Sequence, residues 1–192
     1  APPARAPTRM PSAAGALSSE MADFLMTSIA ARRNLLVCGT AGAGKTGVVA
    51  ALAAAAPEGE RVVSVEEIAE LSLKRDEWIA LETRPADGKS PAIELGRLVK
   101  SALRLRPDRL VVGEVRGAEA FELAASLGAS VDGAVVAVAG EGAQLALGRL
   151  AGLARLAAPD GAQAAARELL PAFVVGGVAG PDRGPLAELV DE

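Results

Sequence analysis

With 192 residues, 51% of them hydrophobic and 23% charged, the chain fits one ordinary globular domain, and this balance excludes a disordered protein. Aromatic residues supply only 2%, so small side chains have to fill the core. A net charge of −4 argues against the broad attraction to phosphate backbones on which nucleic-acid binders rely, and a single cysteine, Cys38, excludes an intrachain disulfide and favours a cytoplasmic setting.

Residues 1–16 are rich in Pro, Ala and Ser, show no sustained periodicity and read as a flexible lead-in to a domain over residues 17–192. The start has neither an initiator Met nor the long apolar stretch of a signal peptide, so the chain reads as a piece of something longer. From Ser18 to Arg32, apolar residues at Met21, Phe24, Leu25 and Ile29 keep the 3.6-residue spacing of a helix, with Ser18 or Ser19 as its N-cap. Leu35 to Cys38 form a short buried strand that runs into a glycine-rich loop, and the Val and Ala run from Lys45 to Ala56 is a helix stopped by Pro57. Strands follow at Arg61 to Val65 and Trp78 to Glu82. A helix then runs over Pro91 to Leu105, with Ser90 as N-cap and Pro91 at its first position. Leu110 to Val112 make the next buried strand, followed by a helix over 117–129, a strand over 133–139 and a helix over 142–156. Further on, the pattern gives a helix near Gln163 to Leu170 and strands near Phe173 to Val175 and Leu186 to Val190. Strands alternating with helices predict an α/β fold, a mostly parallel sheet with helices on both faces. Asp132 and Glu141 interrupt the most apolar stretch, so no segment reaches the roughly 18 uncharged apolar residues of a membrane helix and any membrane association is peripheral.

Gly39, Thr40, Ala41, Gly42, Ala43, Gly44, Lys45 and Thr46 match G-x-x-x-x-G-K-[ST], between a predicted strand and a predicted helix, as phosphate binding requires. Glycines let the backbone wrap phosphates closely, and N–H groups at a helix N-terminus attract the anion. Lys45 is placed to reach the β- and γ-phosphates and the Thr46 hydroxyl to ligate Mg²⁺, so the pattern implies a nucleoside triphosphate bound with Mg²⁺.

A P-loop domain needs a second acidic strand end, and Leu110-Val-Val-Gly113-Glu114 supplies it. Glu114 either contacts the metal through water or polarises the attacking water. A second acidic cluster, Glu66, Glu67 and Glu70, follows the strand ending at Val65, and both clusters fall at carboxyl ends of parallel strands, where the phosphate loop opens. Arg84, Arg104, Arg106 and Arg116 are suited to stabilise charge on a γ-phosphate, in the same subunit or a neighbour, or else pair with acids on solvated faces.

The order of motifs resembles the type II and type IV secretion ATPases, with the tight-adherence (Tad, Flp) pilus-assembly branch the most similar. The resemblance spans about residues 20–156 and rests most on the segment from Ser101 through Arg104, Arg106, Asp108 and Glu114 to Arg116-Gly117. It implies a RecA-like P-loop NTPase fold and a homo-oligomeric, hexameric ring. That ring would sit peripherally on the cytoplasmic face of the cell membrane, hydrolysing ATP to push on an inner-membrane platform protein. By this likeness Lys45 and Thr46 are the Walker A residues, Glu66 and Glu67 the acidic box, Glu114 the Walker B glutamate, and Arg84, Arg104 and Arg116 the basic positions.

One departure stands out. Members of that family carry a His-Asp-Gly and then a strand ending in Thr-x-His-Ala, whereas Val131 and Ala139 occupy the histidine positions here and the chain contains no His. Arg149 keeps the family's Arg-Leu position beyond them. The residues thus support an ATP-hydrolysing motor domain for secretion, pilus assembly or conjugation-type transport. Loss of the histidines supports a nucleotide-binding regulatory or scaffolding paralogue with weak or no hydrolysis, and an unrelated P-loop enzyme such as a kinase would need an acceptor motif that is not evident.

Overall fold

A computed structural model describes residues 19–127, 131–158 and 173–177. Its order is α1 (Ser19–Ala30), β1 (Asn34–Gly39), α2 (Lys45–Ala54), β2 (Val62–Glu66), β3 (Trp78–Glu82), α3 (Leu95–Arg104), β4 (Arg109–Val115), α4 (Glu119–Ser126), β5 (Val135–Ala139), α5 (Ala143–Ala157) and β6 (Phe173–Gly177). The strands form a six-stranded sheet in the order β3-β2-β4-β5-β1-β6, and every neighbouring pair is parallel. The lead-in, the helix expected near Gln163 to Leu170 and the strand expected near Leu186 to Val190 lie outside the described residues.

Strand alternation divides the core into two layers. Leu35 and Val37 of β1, Val111 of β4 and Val135 and Ala137 of β5 face α1 and α2, where they meet Met21, Leu25, Ile29, Val48, Val49 and Leu52. Leu36, Cys38, Val63, Val65, Leu110, Val112, Val136 and Val138 face α3, α4 and α5. Both sheet faces are therefore apolar, which is why these strands read as continuous Val and Leu runs. Burying each such side chain contributes about 1.5–3 kcal/mol relative to exposure. Ala102, Ala143, Ala146 and Ala154 let the helices approach closely in a core short of aromatics. Trp78 packs beside the α1/α2 layer and donates its Nε1–H to Ser64 Oγ at 2.9 Å, a half-buried core role.

Three boundaries differ from the sequence expectation for identifiable reasons. The helix expected from Pro91 starts at Leu95, with Glu94 as N-cap, because Ile93 forms an antiparallel bridge with Arg84 through two backbone hydrogen bonds of 3.1 and 2.8 Å. Ser90 is not a cap; its N–H and that of Lys89 donate to Asp87 Oδ1, and these bonds hold the Asp87 carboxyl below the usual carboxylate range. The fifth strand starts at Val135 because Asn34 Oδ1 accepts the N–H groups of Gly133 and Ala134. The strand expected over Leu110 to Val112 extends to Val115 through a bulge: the four residues Val112 to Val115 of β4 lie against the three residues Val136 to Val138 of β5.

The end of the sheet remote from the glycine loop is tied by a buried cation. Arg109 is fully buried; its Nε pairs with Glu60 Oε2 at 2.5 Å and its Nη2 donates to the Ile29 carbonyl at 2.6 Å, while Arg32 contacts the other oxygen of Glu60 at 2.9 Å. Gly133, at φ 84°, covers this guanidinium, and a Cβ there would lie 2.9 Å from Arg109 Nη1. Removing Arg109 would strand the Ile29 carbonyl and leave Glu60 with Arg32 alone, against a cost of about 3–5 kcal/mol when one partner of a buried pair is lost. Arg109→Ala is therefore expected to lower the unfolding free energy by about 3 kcal/mol in urea denaturation while leaving nucleotide affinity intact. A loss below about 1 kcal/mol would show that Arg109 does not tie α1 to the sheet.

Candidate functional site

The loop after β1 is shaped by two left-handed glycines, Gly42 at φ 77° and Gly44 at φ 86°, conformations that cost an L-residue about 1 kcal/mol or more. A Cβ built at either position meets nothing within 4 Å, so the backbone angle rather than lack of space calls for glycine at both. Gly44 is the N-cap of α2 and provides no side-chain hydrogen bond, which leaves the first N–H groups of the helix without a capping side chain. Lys45 folds back: its ammonium donates to the carbonyls of Gly39 at 3.2 Å and Thr40 at 3.0 Å, and Glu114 Oε1 stands 3.8 Å away.

Glu114 reaches Lys45 because of the bulge. Regular alternation would turn Val115 away from the α3/α4/α5 layer, but the extra residue turns it back into that layer and leaves Gly113-Glu114 at the bend. Gly113 leaves room there for Glu66: a Cβ would lie 3.1 Å from Glu66 Cγ, a tight contact that the buried Glu66 side chain would have to yield to. Arg116 then closes a row of charge, with Nη2 2.6 Å from Glu114 Oε2 and Nη1 3.5 Å from Glu67 Oε2. Its hydrogen bond to Glu114, reinforced by the charge of that carboxylate, raises the Arg116 guanidinium above its ordinary value, so Arg116 stays cationic.

The acidic cluster after β2 divides into distinct parts. Glu66 is buried, and its Oε1 accepts the N–H groups of Glu70 and Leu71, both at 3.0 Å. This turn carries Glu70 to Thr46, whose hydroxyl donates to Glu70 Oε2 at 3.1 Å. Glu67 is exposed and faces Arg116. Hydroxyl and carboxylate oxygens side by side are the hard donors that Mg²⁺ prefers alongside phosphate oxygens, and the open loop with a lysine at its base suits a polyphosphate, so the residues fit both groups.

The remaining arginines are not drawn into this row. Arg84 is exposed just beyond β3, on the edge strand of the sheet. Arg104 lies exposed in the last turn of α3, at the end of the sheet where β4 begins and away from the glycine loop. Arg106 has a left-handed backbone, φ 50°, and its N–H bonds back to the Leu103 carbonyl to close that helix. Ala139, at one of the two positions where the resemblance expects histidine, pairs in register with Gly39 beside the loop, and Val131 is buried.

Sequence reasoning missed Glu119, a buried carboxylate whose Oε1 accepts the N–H groups of Arg116 at 2.5 Å and Gly117 at 2.7 Å. An acid in the first turn of a helix was the visible signal, but such residues are common enough on solvated helix starts to carry no specific meaning.

Comparison with known proteins gives a consistent result. The type II/IV secretion system protein family matches residues 9–159. A putative conjugal transfer protein of Mycobacterium tuberculosis is 41% identical over 165 residues, which cover 82% of this chain and 47% of that protein. The type IV secretion system protein PtlH of Bordetella pertussis is 33% identical over 130 residues, or 67% of this chain and 38% of that protein. The chain thus spans about half the length, or less, of the curated relatives it matches. Among solved structures, the VirB11 ATPase of the Brucella suis type IV secretion system, in complex with sulphate, superposes with a TM-score of 0.73 at 26% identity, covering 88% of this chain and 52% of that one.

The contact of Gly113 with Glu66 yields a test. Gly113→Ala is expected to displace the Glu66 side chain and, through the turn it holds, move Glu70 off Thr46, lowering Mg²⁺-dependent nucleotide affinity about tenfold while affinity measured in EDTA changes less than about threefold. Equal losses with and without Mg²⁺ would place the effect in the loop rather than beside Thr46.

Proposed function

The chain belongs to the type II/IV secretion system protein family, and from that premise we propose that it is the ATP-hydrolysing domain of a motor for secretion, pilus assembly or conjugation-type transport. The observation that carries this reading is Glu114 standing 3.8 Å from Lys45 at the mouth of an open glycine loop. The loop N–H groups and Lys45 bind and neutralise the phosphates. Mg²⁺, held at the Thr46 hydroxyl with Glu70 beside it, would supply charge neutralisation on the phosphate oxygens. Glu114, partly exposed at a bend of its strand, orients the attacking water and accepts its proton. Arg116 holds Glu114 in place and keeps positive charge beside it.

In this reading the charged groups for the chemical step come from β4, the turn after β2 and the loop, and Ala139, beside Gly39 at one of the histidine positions, contributes none. Among the described residues no helix is long and apolar enough to cross a membrane, which suits peripheral attachment at the cytoplasmic face of the membrane. Exposed Arg84 and Arg104 suit contact with a neighbouring subunit of a hexameric ring working against an inner-membrane platform protein.

Lys45→Ala is expected to weaken MgATP binding at least about tenfold, whereas Glu114→Gln should leave binding within about threefold and lower kcat about a hundredfold, read by calorimetry and phosphate release. Tight binding by the unsubstituted chain in its assembled form with no phosphate release would instead make it a nucleotide-binding subunit without turnover.

A further inference from the structure

Glu119 is a buried acid that the reading of the site leaves without a task. It is the first residue of α4, yet it does not cap that helix: the N-cap is Ala118, which makes no side-chain hydrogen bond. Its carboxylate instead turns back toward the preceding strand. A single oxygen, Oε1, takes both the Arg116 N–H, at 2.5 Å, and the Gly117 N–H, at 2.7 Å. Hydrogen bonds to an ionised acceptor are about twice as strong as neutral ones, and these two fix consecutive peptide units. Packing closes the arrangement from two sides. A Cβ on Gly117 would lie 3.2 Å from Glu119 Oε2, and one on Gly96, in the first turn of α3, would lie 3.6 Å from Glu119 Cα. The Lys100–Glu122 pair, at 2.8 Å, further joins α3 to α4.

We propose that Glu119 is a positioning residue for ATP hydrolysis: by holding the Arg116-Gly117 turn it aims the Arg116 guanidinium at Glu114. The proposal rests on the ATPase reading given above. Arg116 is well exposed, so its long side chain would otherwise sample many rotamers, and ordering such a side chain costs up to about 2 kcal/mol. Fixing the backbone at two successive N–H groups sets the direction in which the Arg116 side chain leaves the chain, so that fewer of those rotamers start away from Glu114 before nucleotide arrives, which is the usual work of residues behind a reacting group. The carboxylate reaches three and two residues upstream, to N–H groups that precede the helix, which interaction with the helix dipole alone does not require.

Amide hydrogen exchange and ATP turnover, measured on the same chain, test this. Glu119→Ala is expected to lose at least about tenfold protection at the Arg116 and Gly117 amides and to lower kcat about tenfold, with KM for ATP within about threefold. Glu119→Gln keeps an amide oxygen that can accept both N–H groups, and should restore the protection and most of kcat. In an Arg116→Ala background, Glu119→Ala should lower kcat by less than about twofold more. Unchanged protection in Glu119→Ala overturns the proposal, as does lost protection with unchanged kcat or a full further loss on top of Arg116→Ala. Absence of turnover in the unsubstituted chain, with the two amides protected by Glu119, overturns the ATPase reading and the catalytic part of this proposal together; turnover indifferent to Glu119 overturns this proposal alone.

Discussion

A buried ammonium group is stable only where oxygens surround it, and Lys45, whose side chain is 9% exposed, is satisfied by the carbonyls of Gly39 and Thr40 and faced by Glu114. Those oxygens are fixed by the sheet. Strand β1 is paired in parallel on both sides, to β5 and to β6, so the point at which the chain leaves Gly39 cannot shift without breaking two ladders. Gly42 and Gly44 then turn the backbone so that Lys45 opens α2 and reaches back beneath the loop. The charge is thereby held in a low-dielectric setting with its direction already chosen, a favourable arrangement for binding anions.

The second constraint is the bulge in β4. One extra residue between Val112 and Val115 keeps Val115 in the core and leaves Glu114 at the bend facing Lys45, across the intervening strand β5. Gly113 leaves the volume into which Glu66 packs, and Glu66 in turn holds the loop that brings Glu70 to Thr46. Three acids from two strand ends are thus mechanically linked. A change at one of them is transmitted through short direct contacts.

Much of this was legible in the residues. The alternation of apolar runs with helical spacing specified a parallel sheet with helices on both faces, and the six strands and five helices described follow that pattern. The glycine loop and the strand end that carries Glu114 were visible through motif and position, and the structure brings Glu114 to within 3.8 Å of Lys45. What escaped was set by tertiary pairing. Pro91 after Ser90 is a good local helix start, but the Arg84–Ile93 bridge claims that segment first. A bulge has no signature in an apolar run ending Gly-Glu, so the residues alone predict a β4 that stops at Val112. Nor does sequence distinguish Glu66, buried and structural in its contacts, from Glu70, which touches Thr46, because two such acids four residues apart look alike until the turn between them is known. Arg104 illustrates the same limit, since nearness in sequence to β4 put it at the end of the sheet opposite the loop.

The central claim is that the glycine loop, Lys45, Thr46 and Glu114 form one MgATP site, and a crystal structure of the chain with Mg²⁺ and a non-hydrolysable ATP analogue tests it most directly. The account predicts the terminal phosphates within the loop, Lys45 Nζ moved from the Gly39 and Thr40 carbonyls onto phosphate oxygens, and Mg²⁺ on the Thr46 hydroxyl with Glu114 facing the γ-phosphate. Nucleotide bound elsewhere, or bound with Lys45 still held by the two carbonyls and no metal at Thr46, would contradict it.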